Sequence, residues 1–178
     1  YNLTFHTHWN RLLAAKLGLD ETVLQTNPLC YQQLVHVLSA LELDFNLFFD
    51  TLTRMARDGI DYASPECIKA LSACSYLSEP NVEELASWLM RYKALVIQSS
   101  QSRRAERMRD VNPVFILRNH LVQDVIEAAE LGDFLPLHAI FARLKTPYAD
   151  SADDARWVRK CPPESMQRAG CSMLSCSS

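Results

Sequence analysis

The stretch "SEPNVEELASWLMRYKALVIQ", residues 78–98, decides the fold class. Asn81 stands three residues before Glu84, the spacing of a capping box, in which two backbone donors at a helix start are satisfied by side chains. Behind it Leu85, Trp88, Leu89, Tyr92, Leu95 and Val96 recur at intervals of three and four, so one face of a long helix is apolar. A half-buried strand would instead alternate with a period of two, and no segment of the chain does so. The expected fold is all-α.

Toward the N-terminus the same grammar repeats. "FNLFFDTLTRMAR", residues 45–57, carries Phe45, Phe48, Phe49, Leu52 and Met55 in one stripe, with Asp44 as its cap and Gly59 as its stop. In "TNPLCYQQLVHVLSALEL", residues 26–43, Asn27 reads as an N-cap and Pro28 as the first helical residue, where a missing N–H costs nothing. A first helix is expected from Leu3 to Leu17, with Phe5, Trp9, Leu12, Leu13 and Leu17 in its stripe and Gly18 closing it in the left-handed conformation. Another is expected from Glu66 to Tyr76.

Toward the C-terminus lies "NPVFILRNHLVQDVIEAAELGDF", residues 112–134. Its reading is a helix capped by Asn112, opened by Pro113 and closed by Gly132, packed on most of its circumference, with His120, Gln123, Asp124, Glu127 and Glu130 as a polar stripe. Arg118 and Asn119 then fall inside a buried helix, where an unpaired guanidinium is costly, so both read as structural pins holding a carboxylate or loop carbonyls. Asp133 caps a following helix, "FLPLHAIFARLK", ending before Pro147. From Tyr148 the periodicity fades, and residues 148–178 read as an extended tail over a helical region 1–147, pinned by Trp157.

Composition excludes more than it assigns. A net charge of -3 gives no electrostatic reason to expect nucleic acid. The longest uncharged run, Thr22 to Leu41, is too polar for the roughly 20 apolar residues that a bilayer requires. Cys30, Cys67, Cys74, Cys161, Cys171 and Cys176 match neither a small disulfide scaffold nor a zinc pattern, which points to a reducing compartment, with Cys67 and Cys74 as core thiols. The four glycines are too far apart for any phosphate-binding loop. His6 and His8, two apart on a helix, diverge by about 200° and cannot share an ion. His36 and His138 read as core or boundary residues, and Arg103, Arg104, Arg107 and Arg109 as a solvated helical face interleaved with Glu106 and Asp110. In the terminal "GCSMLSCSS", residues 170–178, the flexible five-residue spacing lets Cys171 and Cys176 bridge.

The segment 112–134, preceded by the arginine-rich run and followed by "TPY", an acidic linker, "PPE" and a terminal "SCSS", resembles the C-terminal part of the selenoprotein O family. Asn112, Pro113, Leu117, Arg118, Asn119, Gly132, Asp133, Pro147, Pro162, Pro163 and Cys176 fall on the family's pattern, and "AAKLGL", residues 14–19, looks like family sequence as well. The resemblance implies a protein-kinase-like pseudokinase that transfers AMP from ATP to protein hydroxyls, with this chain as its helical C-terminal part. It implies that ATP and Mg²⁺ or Mn²⁺ bind to the kinase-like part before this region, so that no catalytic, cofactor-binding or metal-ligating residue is expected here and the chain alone is inactive. It also implies Cys176 as a redox thiol able to pair with a cysteine elsewhere in the fold; Cys171 is not part of the family's ending and reads either as a resolving partner or as an accident of the terminus. The expected partners are the rest of its own kinase-like domain and substrate proteins, not nucleic acid or membrane. The expected location is intracellular, cytoplasmic in a bacterium and mitochondrial in a eukaryote. The helices alone would also suit a non-enzymatic interaction module.

Overall fold

The computed structural model describes the backbone of residues 2–152 and 154–167, and the side chains of residues 8–152 and 155–165. Among the described residues ten α-helices follow one another: α1 (Asn2–Leu17), α2 (Glu21–Thr26), α3 (Pro28–Ala40), α4 (Phe45–Asp58), α5 (Pro65–Ser72), α6 (Val82–Gln98), α7 (Arg104–Arg109), α8 (Asn119–Glu130), α9 (Leu135–Leu144) and α10 (Asp154–Trp157), with a 3-10 turn over Pro163–Gln167. Among the described residues the sole β-type pairing is an isolated bridge between Leu43 and Ser75. The chain is all-α, and it divides into two compact units, Tyr1–Asn112 and Pro113–Ser178.

In the first unit, α6 packs against α3 and α5, and α4 meets α1, α5 and α7. The six apolar positions read from residues 78–98 are all buried, Trp88 and Tyr92 completely, and Asn81 caps α6 by accepting from the Glu84 N–H at 3.2 Å. Glu84 does not return the favour as a capping box would; its carboxylate pairs with His36 at 3.0 Å. Asp44 accepts from the Leu47 N–H at 3.0 Å and Gly59 ends α4 with φ 69°, as the residues predict. The aromatic centre is continuous: Trp88 stacks on Tyr92 at 5.1 Å and packs on Phe48 at 5.8 Å. Burying an indole of this kind is worth about 3–5 kcal/mol against alanine.

Several expectations change. Asn27 precedes Pro28 at α3, but its amide donates backward to the Val23 carbonyl at 2.8 Å, so it closes the short α2, which the sequence pattern does not announce. The helix at 66–76 starts at Pro65 under a Ser64 cap and stops at Ser72, because the chain turns into the Leu43–Ser75 bridge. On α1, Leu13, Ala14 and Leu17 are buried, while Leu12 is exposed and Trp9, edge-on to Tyr31, is partly so.

In the second unit, the helix expected from Pro113 begins only at Asn119. Residues 113–118 are non-helical because the Phe115 N–H bonds to the Pro147 carbonyl at 3.0 Å, beyond α9. That pairing puts Phe115 into a cluster with Leu121, Val125, Ile140 and Trp157. Only His120, Leu121 and Val125 of α8 are buried, so the helix is half-solvated rather than enclosed, and His120 faces inward rather than joining the polar stripe. Trp157 does anchor the segment after Tyr148, but on a helical turn, α10, and not on an extended strand of chain. Gly132, with φ 84°, ends α8, and Asp133 accepts from the Leu135 N–H at the start of α9.

Candidate functional site

The densest polar constellation forms where α1 ends. "AAKLGL" closes α1 with a Schellman arrangement: Gly18, at φ 62°, donates to the Ala15 carbonyl and Leu19 reaches back to Ala14 at 2.9 Å. The carbonyls of Lys16, Leu17 and Gly18 remain, as the last carbonyls of any helix do. Three side chains from elsewhere in the unit take them. Arg104 donates from Nε to Gly18 at 3.0 Å and from Nη2 to Leu17 at 3.1 Å; the Tyr92 hydroxyl donates to Leu17 at 2.6 Å; and the Asn112 amide donates to Lys16 at 2.8 Å.

Arg104 is buried, and it donates to neutral groups: the two carbonyls, the Tyr62 hydroxyl at 2.6 Å and the Tyr92 hydroxyl. Its guanidinium carbon lies 5.3 Å from the Tyr62 ring centre and 5.8 Å from that of Tyr92. The negative end of the α1 dipole and two aromatic faces thus stand in for a carboxylate. Burial holds the hydroxyls of Tyr62 and Tyr92 above the usual tyrosine range, against the opposing pull of Arg104, so they remain neutral partners.

Beside it, Asn112 is fully buried and bonds at both ends. Its amide nitrogen also reaches Thr53 Oγ1 at 3.0 Å, while its oxygen accepts from Lys16 Nζ at 3.1 Å. Lys16 Nζ donates to the Val111 carbonyl at 3.1 Å and lies over the Phe49 ring at 5.2 Å, and its burial lowers its pKa. Arg109 joins the buried Asp50 carboxylate at 2.7 Å to the Asn112 carbonyl at 3.0 Å, with Arg54 on the second Asp50 oxygen at 2.9 Å. Asn112 is therefore a cross-link between α1, α4 and the end of α7, rather than a helix cap.

This corrects the reading of the arginine run as a solvated face. Arg103 and Arg107 are on the surface, Arg104 is inside and Arg109 is mostly covered. A six-residue helix has too little periodicity to reveal which face is inner, which is why Arg104 and Asp50 escape a pattern-based reading. His36 and His138, expected at core or boundary positions, are both exposed. Pro113 and Arg118 are half-buried, Asn119 is exposed at the start of α8, and all three have interactions within the fold. Cys171 and Cys176 lie outside the described residues.

Among the described residues, no three His, Cys, Asp or Glu side chains converge as a metal site. The buried cations are already engaged by carbonyls, tyrosines, Asn112 and Asp50. Cys30 and Cys67 are buried thiols whose pKa values are raised by burial, Cys67 to about 12, which makes them poor nucleophiles. A shallow cleft of about 290 Å³ beside Tyr62 and Arg104 is bordered by the Asp61–Lys93 ion pair at 2.7 Å. No described helix is long and apolar enough to cross a membrane. What the junction does chemically is tie chain segments together.

A family model described as protein adenylyltransferase SelO matches residues 1–145. Among curated relatives, a protein nucleotidyltransferase YdiU from Tolumonas auensis is 32% identical over all of this chain and 34% of its own length. Proteins of the same description from Rhodopirellula baltica and Xanthomonas campestris are 31% and 34% identical, over 98% and 93% of this chain and 35% and 32% of their own lengths. The chain thus spans about a third of the length of the relatives it matches.

Proposed function

This chain belongs to the protein adenylyltransferase SelO family, and from that premise we propose that it is the helical C-terminal part of a protein-kinase-like enzyme that transfers AMP from ATP to protein hydroxyls. Its task is to buttress a catalytic part that it does not itself contain. The observation that carries this reading is the Arg104–Asn112–Lys16 junction. It joins the two stretches whose wording resembles the family, "AAKLGL" and the arginine-rich run up to Asn112, through bonds that rigidify rather than react. ATP and its metal ion are assigned in this reading to the remaining two thirds of the family length, and no step of the reaction runs through this chain.

Replacing the matched third of the Tolumonas auensis relative with this chain tests the proposal. The chimera should label protein with AMP from α-labelled ATP in Mg²⁺ or Mn²⁺, and the 178-residue chain alone should not. Labelling by the isolated chain, or a folded chimera without activity, would overturn it. We also propose Cys176, with Cys171, as a redox-responsive thiol pair. Peptide mapping of the oxidised and reduced chimera should find Cys176 in a disulfide only in the oxidised sample, and a thiol that stays free there removes that role.

A further inference from the structure

Helix α9 is apolar almost all round: His138 and Arg143 alone interrupt "LPLHAIFARL". Such a helix normally lies inside a protein. Here only Ile140 and Arg143 are buried, the latter donating to the Ala149 carbonyl at 2.7 Å and lying over the Phe115 ring at 5.4 Å. The other side is open to solvent in part, from 39% at Leu144 to 58% at Phe141. Phe134, Leu137, Phe141 and Leu144, at spacings of three, four and three, form one stripe. Lys145 lies along it with Nζ 4.7 Å from the Phe141 ring centre, and α9 carries no carboxylate.

We propose that this stripe is a docking face for an amphipathic helix with an acidic residue opposite Lys145, supplied by the part of the family polypeptide that lies beyond the third matched by this chain. The inference rests on the reading of the chain as one part of a longer protein. The stripe has the spacing by which one helix seats against another, knobs between holes, and is not a scatter of single surface residues. Of the ionisable residues in and beside it, Asp133 accepts from the Leu135 N–H at the start of α9, Arg143 is buried, and His138 and Lys145 are exposed, so a complementary partner brings Asp or Glu to the Lys145 end. The stripe also falls within residues 1–145, the region matched by the family, in proteins that carry roughly twice as much further chain.

The test uses the Tolumonas auensis chimera with a protease site inserted at each junction between this chain and the relative. After cleavage the pieces should co-elute on gel filtration, and Leu137→Glu with Phe141→Glu should weaken their association at least tenfold. In the 178-residue chain alone, the same double variant should leave the helical signal and the thermal midpoint unchanged, since the stripe covers nothing there. Three results would overturn the proposal: cleaved pieces that hold together regardless of the variant; unfolding of the isolated chain by the variant; or an isolated chain whose stripe is already covered. The last would show as self-association abolished by the variant, or as amide protection of α9 lost on deleting residues 168–178. Pieces that associate through α9 in a chimera that transfers no AMP would sink the transferase reading and leave the docking face standing.

Discussion

The two compact units are built from the same kind of helix and differ in what the helices do with their apolar faces. Among the described residues, the first unit buries two dozen apolar side chains in one cluster, from Leu13 to Met108. The second buries five in its own cluster and leaves Leu131, Phe134, Leu135 and Phe141 in solvent. In the first, even the polar interior is closed, since Arg104, Asn112 and Asp50 have their hydrogen bonds made within the unit. In the second, the buried polar side chains among the described residues are fewer: His120, Arg143 and Ser165. A unit whose apolar and polar groups are satisfied internally can fold by itself; one that leaves an apolar helix uncovered depends on something else.

The largest effect that could break this contrast is separation. Residues 1–112 expressed alone should keep helical circular dichroism and a cooperative thermal transition, whereas residues 113–178 alone should melt without one. A cooperative transition in the shorter piece would show that five buried side chains suffice. Next comes Arg104→Ala, which strips the carbonyls of Leu17 and Gly18 and two tyrosine hydroxyls of a buried donor. Loss of a buried, fully bonded charged group costs about 3–5 kcal/mol, to be read from urea unfolding. A loss under about 1 kcal/mol would mean that the junction is solvated and closes nothing.

How far this contrast is legible in the sequence depends on the length of the pattern. The seventeen residues of α6 and the fourteen of α4 present whole turns of apolar spacing, with caps at Asn81 and Asp44, and both are read correctly from the residues. The six residues of α2 and of α7 do not complete enough turns to show a face. Asn112–Pro113 has the form of a helix start, yet the buried Asn112 amide is recruited by Lys16 and Thr53 and the Phe115 N–H by Pro147, partners about 96, 59 and 32 residues away in the chain. Local propensity yields to tertiary bonds at such places. "AAKLGL" is readable as a helix end, but that its carbonyls await an arginine is not.

Alkaline pH probes the first unit selectively. Burial raises the pKa of Cys30, of Tyr62 and Tyr92, and of Cys67, the last from 9.0 to about 12. Each keeps its proton in the folded state after the unfolded chain has lost it, so the stability it contributes is full below the unfolded value and drains away as pH rises toward the folded one. Lys16, with a lowered pKa, acts in the opposite direction just below its ordinary 10.5, because the unfolded chain then binds more protons. The raised groups outnumber it, so urea midpoints should fall from pH 9 to pH 11, and Cys67→Ala should flatten that slope. A flat profile in the unsubstituted chain would indicate that the thiols and hydroxyls are open to water.

Two glycines with the same conformation give the finest comparison. Gly18 ends α1 at φ 62° and Gly132 ends α8 at φ 84°, so alanine at either position meets the backbone cost of the left-handed region, about 1–2 kcal/mol. Their surroundings differ. A Cβ on Gly18 would stand 2.6 Å from Met108 Sδ and 2.9 Å from Arg104 Nε, both on fully or nearly buried side chains fixed by the junction, whereas a Cβ on Gly132 would meet nothing within 4 Å. Overpacking a filled site adds about 1–3 kcal/mol. Gly18→Ala should therefore destabilise by about 2–5 kcal/mol and Gly132→Ala by about 1–2 kcal/mol, measured as urea unfolding of the whole chain. Equal losses would mean that Met108 and Arg104 yield freely. The first unit would then be no more tightly closed than the second at the point where its helix ends.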